Sequence, residues 1–292
     1  MKKLSRFFYF VIIFLDKILY LLKLKNFFSH FKDVINENSY KSIIIDSKVI
    51  SFFIPNYLTE FRVDNILKIE KKTIDWIDNF KENKIFWDIG SNIGLYSIYA
   101  ATKHKNINIF SFEPSTSNLR VLSRNIFING YEKKIKILPN PIIHNNKNLF
   151  TNFYESSFVE GGALHSTDKN IDFRGKQLKN TMLYQTLGIS LNQLCNEKIL
   201  KIPQYLKIDV DGTEHLILKN IEKIIKNIIS INIEINLNFK KQSKLIFYIL
   251  KRNKFTIISK ESFPNYLKTK QNKIFHNTCN FIFENKKFNS KL

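Results

Sequence analysis

"FWDIGSNIGLYSIYAA", residues 86–101, carries an apolar run into a helix-like pattern through two of the chain's eight glycines. Gly90 and Gly94 stand four apart, behind Asp88. "KIFWDIG" reads as a buried strand and "SNIGLYSIYAATKH" as a helix. Working outward, "NINIFSFEP" is a strand, "STSNLRVLSRNIFING" a helix stopped by Gly130, and "KIKILPNPI" a strand. This βαβαβ order predicts a parallel sheet with helices on both faces. After a less regular insert, about 144–200, the alternation resumes. "QYLKIDV" is a strand, "GTEHLILKNIEKIIK" a helix, "NIISINIEIN" a strand and "KQSKLIFYILKRN" a helix. "FTIIS" and "CNFIFEN" close the pattern as strands.

Three segments follow: 1–32, 33–84 and 85–292. In the second, "SIIID", "VISFFIP" and "TIDWIDNF" predict two short strands and a helix. In the first, the apolar run from Phe7 to Leu15 is too short for a membrane span and is followed by no small-residue cleavage site. As a helix it aligns Phe8, Val11, Ile12, Leu15, Ile18, Leu19 and Leu22 on one face. That face packs on the chain's own core or a partner subunit, or else lies on the inner membrane surface, where the basic flanks would add to apolar insertion.

The formal charge of +21 comes from 46 basic residues against 25 acidic ones. Only six of the basic residues are Arg, the side chain that forks onto phosphate and guanine, so a nucleic-acid partner is not expected. Cys195 and Cys279 match no metal-ligand spacing and read as free thiols of a reducing cytoplasm; no metal site is expected.

In a parallel sheet, ligands bind beyond the carboxyl ends of the strands where strand order reverses. Asp88, Gly90 and Gly94 lie at one such end. Glycine there lets backbone approach a ligand, because it lacks Cβ. Glu113 ends the next strand, where a carboxylate can accept both hydroxyls of a ribose. A dinucleotide loop begun at Gly90 would need glycines where Asn92 and Leu95 stand. Carboxylates instead gather at strand ends in a basic chain: Asp88, Glu113, Asp209, Asp211, Glu214 and Glu234. That set suits a cationic cofactor, and S-adenosylmethionine (SAM) carries a sulfonium and an ammonium.

With "FSFEPSTSNLRVLSRNIFING", "YLKIDVDGTEHLILKNI" and "INIEIN", the opening stretch resembles the successive blocks of FkbM-family SAM-dependent methyltransferases, from roughly Ser51 to Glu284. The resemblance implies a Rossmann-like class I methyltransferase fold: a mostly parallel seven-stranded sheet with helices on both faces, here with an N-terminal helical extension. It also implies that Asp88, Gly90, Ser91, Asn92 and Gly94 form the cofactor loop, that Glu113 holds the ribose and that Asn140 lies near the adenine. The family commonly has Glu where Asp211 stands and a Leu-Asp pair where Leu191 and Asn192 stand.

Methyl transfer to a hydroxyl needs alignment, desolvation and removal of a proton. Asp209 is the first candidate for the base, followed by Asp211 and Glu214; His165 is a surface-loop histidine or a rival base. Acceptor recognition is expected in residues 150–185, whose aromatic and polar side chains suit a sugar and whose adjacent Gly161 and Gly162 would allow movement. The expected activity is O-methylation of a sugar in a surface glycan or its precursor, in the cytoplasm or at the cytoplasmic face of the membrane. The alternatives are a methyltransferase for a small metabolite, lipid or polyketide, and a silent SAM-fold module in glycan assembly.

Overall fold

The computed structural model describes residues 1–143, 149–179, 181–262 and 277–289. Residues 144–148 and 180 of the insert lie outside the described residues. In chain order the lead-in comprises α1 (Lys2–Leu21), α2 (Phe27–Asn38), β1 (Tyr40–Ile45), β2 (Lys48–Phe53), α3 (Tyr57–Ile69) and α4 (Lys71–Asp78). The two expected strands pair as an antiparallel hairpin. The helix expected over "TIDWIDNF" is α4, and α3, which was not expected, precedes it across a break at Glu70.

The alternating region yields β3 (Ile85–Ile89), α5 (Leu95–Lys103), β4 (Asn108–Phe112), α6 (Thr116–Ile128) and β5 (Ile135–Leu138). The insert holds β6 (Phe150–Glu155), β7 (Ser166–Thr167), β8 (Met182–Leu187) and α7 (Leu191–Asn196). β9 (Tyr205–Ile208), α8 (Glu214–Asn220), β10 (Ser230–Asn236), α9 (Lys240–Arg252), β11 (Phe255–Ser262), β12 (Thr278–Asn285) and α10 (Lys286–Asn289) complete the chain.

Seven strands form one mixed sheet in the order β11-β12-β10-β9-β3-β4-β5. β3 pairs in parallel with β4 on one side and β9 on the other, so strand order reverses at β3. β12 runs antiparallel to both β10 and β11. The insert folds as its own sheet, with β6 central between β7 and β8.

Two apolar cores sandwich the sheet, as strands buried on both faces require. One joins β1–β2, α3–α6 and residues such as Phe86 and Ile109; the other joins Trp87, Leu206 and Ile231 to α8 and α9. The helix expected over "GTEHLILKNIEKIIK" stops at Asn220, and a 3-10 turn follows at Ile225–Asn227. The break has two causes in view. Asn220 turns its amide onto the Ile143 carbonyl, 3.1 Å away, and Ile221, Ile224, Ile225 and Ile228 must all enter the second core.

The N-terminal extension contrasts with this packing. No residue of α1 or α2 is buried, so α1 does not pack on the chain's own core. It leans on α2 through Asp16, which accepts the Phe28 backbone N–H at 2.9 Å, and through the Tyr9–Phe28 ring pair. Among the described residues, no helix is long and apolar enough to cross a membrane.

Candidate active site

The reversal at β3 opens a cavity beyond the carboxyl ends of β3, β4 and β9. Gly90, Asn92, Glu113 and Asn140 line it, as do Asp209, Asp211 and His165. Asp88, Ser91, Gly94 and Glu214 do not.

The first turn is built by hydrogen bonds rather than by ligand approach alone. The backbone N–H groups of Gly90 and Ser91 both donate to the Phe112 carbonyl, at 3.0 and 3.1 Å, tying the ends of β3 and β4. Gly90 has φ +83°, and a Cβ there would stand 1.8 Å from the Asp209 carbonyl oxygen. Its lack of Cβ therefore answers the neighbouring strand as well as the cavity. Gly94, at φ +86°, caps α5, and a Cβ would meet Leu122 Cδ1 at 2.5 Å; it serves helix packing. Asp88 is fully buried and accepts from Ser97 Oγ at 2.6 Å. Ser91 is buried with its hydroxyl toward Phe112 O. These residues support the loop from beneath.

Glu113 is 4% exposed. Its Oε2 accepts the Asn92 N–H at 2.8 Å and its Oε1 accepts the Ser115 N–H at 2.9 Å. The Asn118 side chain also bonds this carboxylate, and of the four acceptor positions of its two oxygens these three donors leave room for a ligand hydroxyl. Burial pushes the Glu113 carboxyl up to about 7, against the pull of those two N–H groups. Phe112, Pro114, Ile142 and Phe153 supply apolar wall nearby. Asn140 is half-buried, with its amide on the Leu187 carbonyl at 3.0 Å.

On the other side of β3, Asp209 Oδ2 pairs with Lys207 Nζ at 2.7 Å. Among the described residues, its Oδ1 receives no hydrogen bond. Lys207 is almost wholly buried and lies over the Tyr96 ring. Burial works against its charge, but Asp209, Glu70 and Asp88 outweigh that and hold the ammonium above its ordinary value. Asp211, at φ +59°, accepts the Leu164 N–H at 2.6 Å; burial, with Asp209 beside it, raises its carboxyl to about 6.

Glu214 takes a different place from the one expected. Its Oε1 accepts the Val210 and Gly212 N–H groups, and its Oε2 is bonded to Gln242. The carboxylate holds the turn between β9 and α8 and does not reach the cavity. His165 does line it, but its Nδ1 accepts the Ser156 N–H at 3.2 Å, which leaves Nε2–H as a donor. Burial lowers this imidazole to about 4. Both features disfavour it as a base.

The insert reaches the site through Gly162, Ala163, His165, Ser166 and Thr167. Its glycines are anchored: Asn118 Oδ1 accepts Gly161 N–H, Arg62 donates to the Gly161 carbonyl, and Asn92 and Asn118 both donate to the Gly162 carbonyl. Lys207, Asn118 and Arg62 were not singled out from sequence. The alternation in "YLKIDV" puts Lys207 and Asp209 on one face, which was a usable signal for Lys207. Nothing local marked Arg62 or Asn118.

SAM fits these residues: a buried carboxylate with a spare acceptor position, apolar walls, and acidic groups facing a cation. Comparison with known proteins agrees. The Methyltransferase FkbM domain model matches residues 88–278. Methyltransferase sdnD of Sordaria araneosa is 24% identical over 52% of this chain and 68% of its own length. Hexuronic acid methyltransferase AglP of Haloferax volcanii is 23% identical over 55% of this chain, and the match spans 59% of AglP. A candidate SAM-dependent methyltransferase structure from Streptococcus mutans aligns with TM-score 0.50 at 11% identity, over 84% of this chain and 55% of that one. With the family model covering more than half of its length, the chain belongs to the FkbM methyltransferase family and is a SAM-dependent methyltransferase of class I Rossmann-like fold.

Proposed function

We propose that the chain is an O-methyltransferase acting on a hydroxyl of a sugar in a surface glycan or its precursor. The observation that carries the reading is the placement of Glu113 and Asp209 on one cavity, after the two strands that flank β3. SAM supplies an electrophilic methyl group whose sulfur leaves uncharged. Glu113 accepts a ribose hydroxyl, and the turn from Gly90 to Asn92 closes beneath it. Asp209 takes the acceptor's hydroxyl proton, its Oδ2 being fixed by Lys207. The segment 161–167, pinned by Asn92, Asn118 and Arg62, walls the cavity and excludes water. A sugar acceptor is supported by the hexuronic acid named for AglP.

Transfer of labelled methyl from SAM to a panel of sugars and nucleotide sugars tests the reading. Label released from the product by ether cleavage, and not by mild ester hydrolysis, is expected; methyl on a carboxyl or nitrogen would overturn the O-methyl assignment.

The N-terminal helices place the enzyme, in this proposal, on the cytoplasmic face of a membrane. Phe7, Phe8, Phe10, Phe14 and Leu21 are each at least half exposed, while Lys2, Lys3, Arg6, Lys17, Lys23 and Lys25 flank them. Apolar insertion and attraction to anionic lipid would reinforce each other. Deleting residues 1–25 should abolish sedimentation with anionic vesicles and leave SAM binding intact. Unchanged sedimentation would refer α1 to a protein partner.

A further inference from the structure

Beside the main cavity lies a second cleft of about 310 Å³, lined by Glu70, Glu234, Glu261, Thr278 and Asn280. Its floor is set by strand register. Glu261 lies opposite Asn280 on β12, and Asn280 lies opposite Glu234 on β10. Paired positions send side chains to the same face of a sheet, so Glu261, Asn280 and Glu234 form a row across three strands. Glu70, at the break between α3 and α4, completes the cleft. Asp209 adjoins it: Ile208 pairs with Ile233, so the next residues, Asp209 and Glu234, follow side by side at the strand ends.

Lys207 is paired with Asp209, and Lys72, whose Nζ donates to the Lys260 carbonyl, gives its backbone N–H to Glu261 Oε2 at 3.0 Å. Burial raises all three glutamates above their ordinary range, against Lys207 at Glu70 and the Lys72 N–H at Glu261; at Glu234 the carboxylates of Asp209, Asp211 and Glu214 add to burial, and the rise is greatest there. A second observation points to a ligand: Thr278 is 5% exposed and its hydroxyl, on the cleft wall, has no hydrogen-bond partner among the described residues. Buried polar groups are normally satisfied. No group of three acidic, His or Cys side chains among the described residues has the arrangement for a metal ion.

We infer that this cleft is an acceptor subsite for a protonated amine, with the Thr278 hydroxyl accepting one ammonium N–H and the glutamates balancing the charge. The inference rests on the methyltransferase reading of the adjoining cavity and narrows its acceptor to a hydroxyl-bearing amine. It also sets this chain apart from a hexuronate enzyme, because a ligand carboxylate would add one more acid to a cleft already crowded with them, whereas an ammonium would draw the glutamates back to their ionised form.

The test uses the full chain saturated with S-adenosylhomocysteine, titrated calorimetrically with glucosamine, glucose, glucuronate and ethanolamine. Glucosamine should bind roughly tenfold or more tightly than glucose, as expected for a charge-assisted hydrogen bond, and glucuronate most weakly. Glu234→Gln and Thr278→Val should each remove the preference while S-adenosylhomocysteine affinity and melting temperature stay near wild type. If one variant fails to fold, the other and the wild-type ranking still decide. Equal binding of glucose and glucosamine, or preference for glucuronate, would overturn the subsite. Ethanolamine binding lost in Glu234→Gln, with no sugar bound, would keep the subsite and discard the sugar; in a parallel turnover assay with SAM, methylation of glucose without amine preference would do the reverse.

Discussion

Glu113 and Asp209 are both carboxylates at strand ends on one cavity, yet their surroundings differ. Glu113 is buried and held by two backbone N–H groups. Asp209 is 27% exposed and held by a buried ammonium. A carboxylate gripped by backbone donors is fixed in place and suited to neutral hydroxyls. One held at a single oxygen beside a cation retains an open oxygen where a proton can be taken. The same residue type is thus suited to binding on one side of β3 and to chemistry on the other.

The largest effect expected is on turnover. Asp209→Asn keeps the shape of the proposed base but removes the proton acceptor, so kcat should fall by roughly 10² to 10⁴ while SAM affinity changes little. Because the change also strips Lys207 of its nearest partner, the melting temperature belongs in the same experiment. Asp211→Asn and Glu214→Gln run in parallel. If Asp211→Asn loses turnover and Asp209→Asn keeps it, the roles in the comparison are wrongly divided. Glu214→Gln should act on stability, since its partners are the turn's own N–H groups and Gln242.

Gly90→Ala probes the joint between the two halves. A Cβ at φ +83° directed at the Asp209 carbonyl oxygen cannot be accommodated without moving β3 or β9. A loss of about 2–4 kcal/mol in folding stability is expected, read by denaturant unfolding, with SAM affinity falling alongside. Unchanged stability would mean that the ends of β3 and β9 separate readily.

Glu113→Ala should weaken S-adenosylhomocysteine by about 1–3 kcal/mol in calorimetry, the worth of hydrogen bonds to a charged group. pH sharpens this. With the folded carboxyl at about 7, above its ordinary value of 4.5, its contribution to folding stability is full below the unfolded value and is lost as pH rises through about 7. Cofactor affinity runs the opposite way: ionised Glu113 is the better acceptor, so affinity should rise between pH 6 and 8 in the wild type and stay flat in Glu113→Gln. A flat wild-type profile would remove the ribose role.

The smallest effect should come from His165→Gln, which keeps a side-chain N–H donor. Turnover within about threefold of wild type is expected, well below the hundredfold or more of losing a general base.

Much of the fold was legible because local chemistry and global architecture agreed. Alternation of buried strands and amphipathic helices located β3, β4, β5, β9 and β10, and Gly130, at φ +67°, ends α6 as expected. The site was legible only where a residue's place follows from strand alternation. Glu113, Asp209 and Asp211 sit at carboxyl ends and line the cavity. Glu214 has the same kind of sequence signal, but as the first residue of α8 it has its carboxylate taken by nearby N–H groups, which no spacing reveals. The reach of "VEGGALHS" depends on Asn92, Asn118 and Arg62, far away along the chain. α1 shows the converse: an amphipathic pattern records that a face is apolar, and says nothing of what covers it.

By itself, the sequence determined the class of fold, the position of the ligand site at the β3 reversal and the carboxylates that end the strands. Each follows from periodicity and backbone geometry, which act over a few residues. Tertiary structure alone decided which carboxylates face the cavity, which are consumed as ties, and that Lys207 and Glu70 join them. Those outcomes depend on burial and on partners brought together across the sheet, where desolvation and neighbouring charge, acting through space, set each group's protonation and reach.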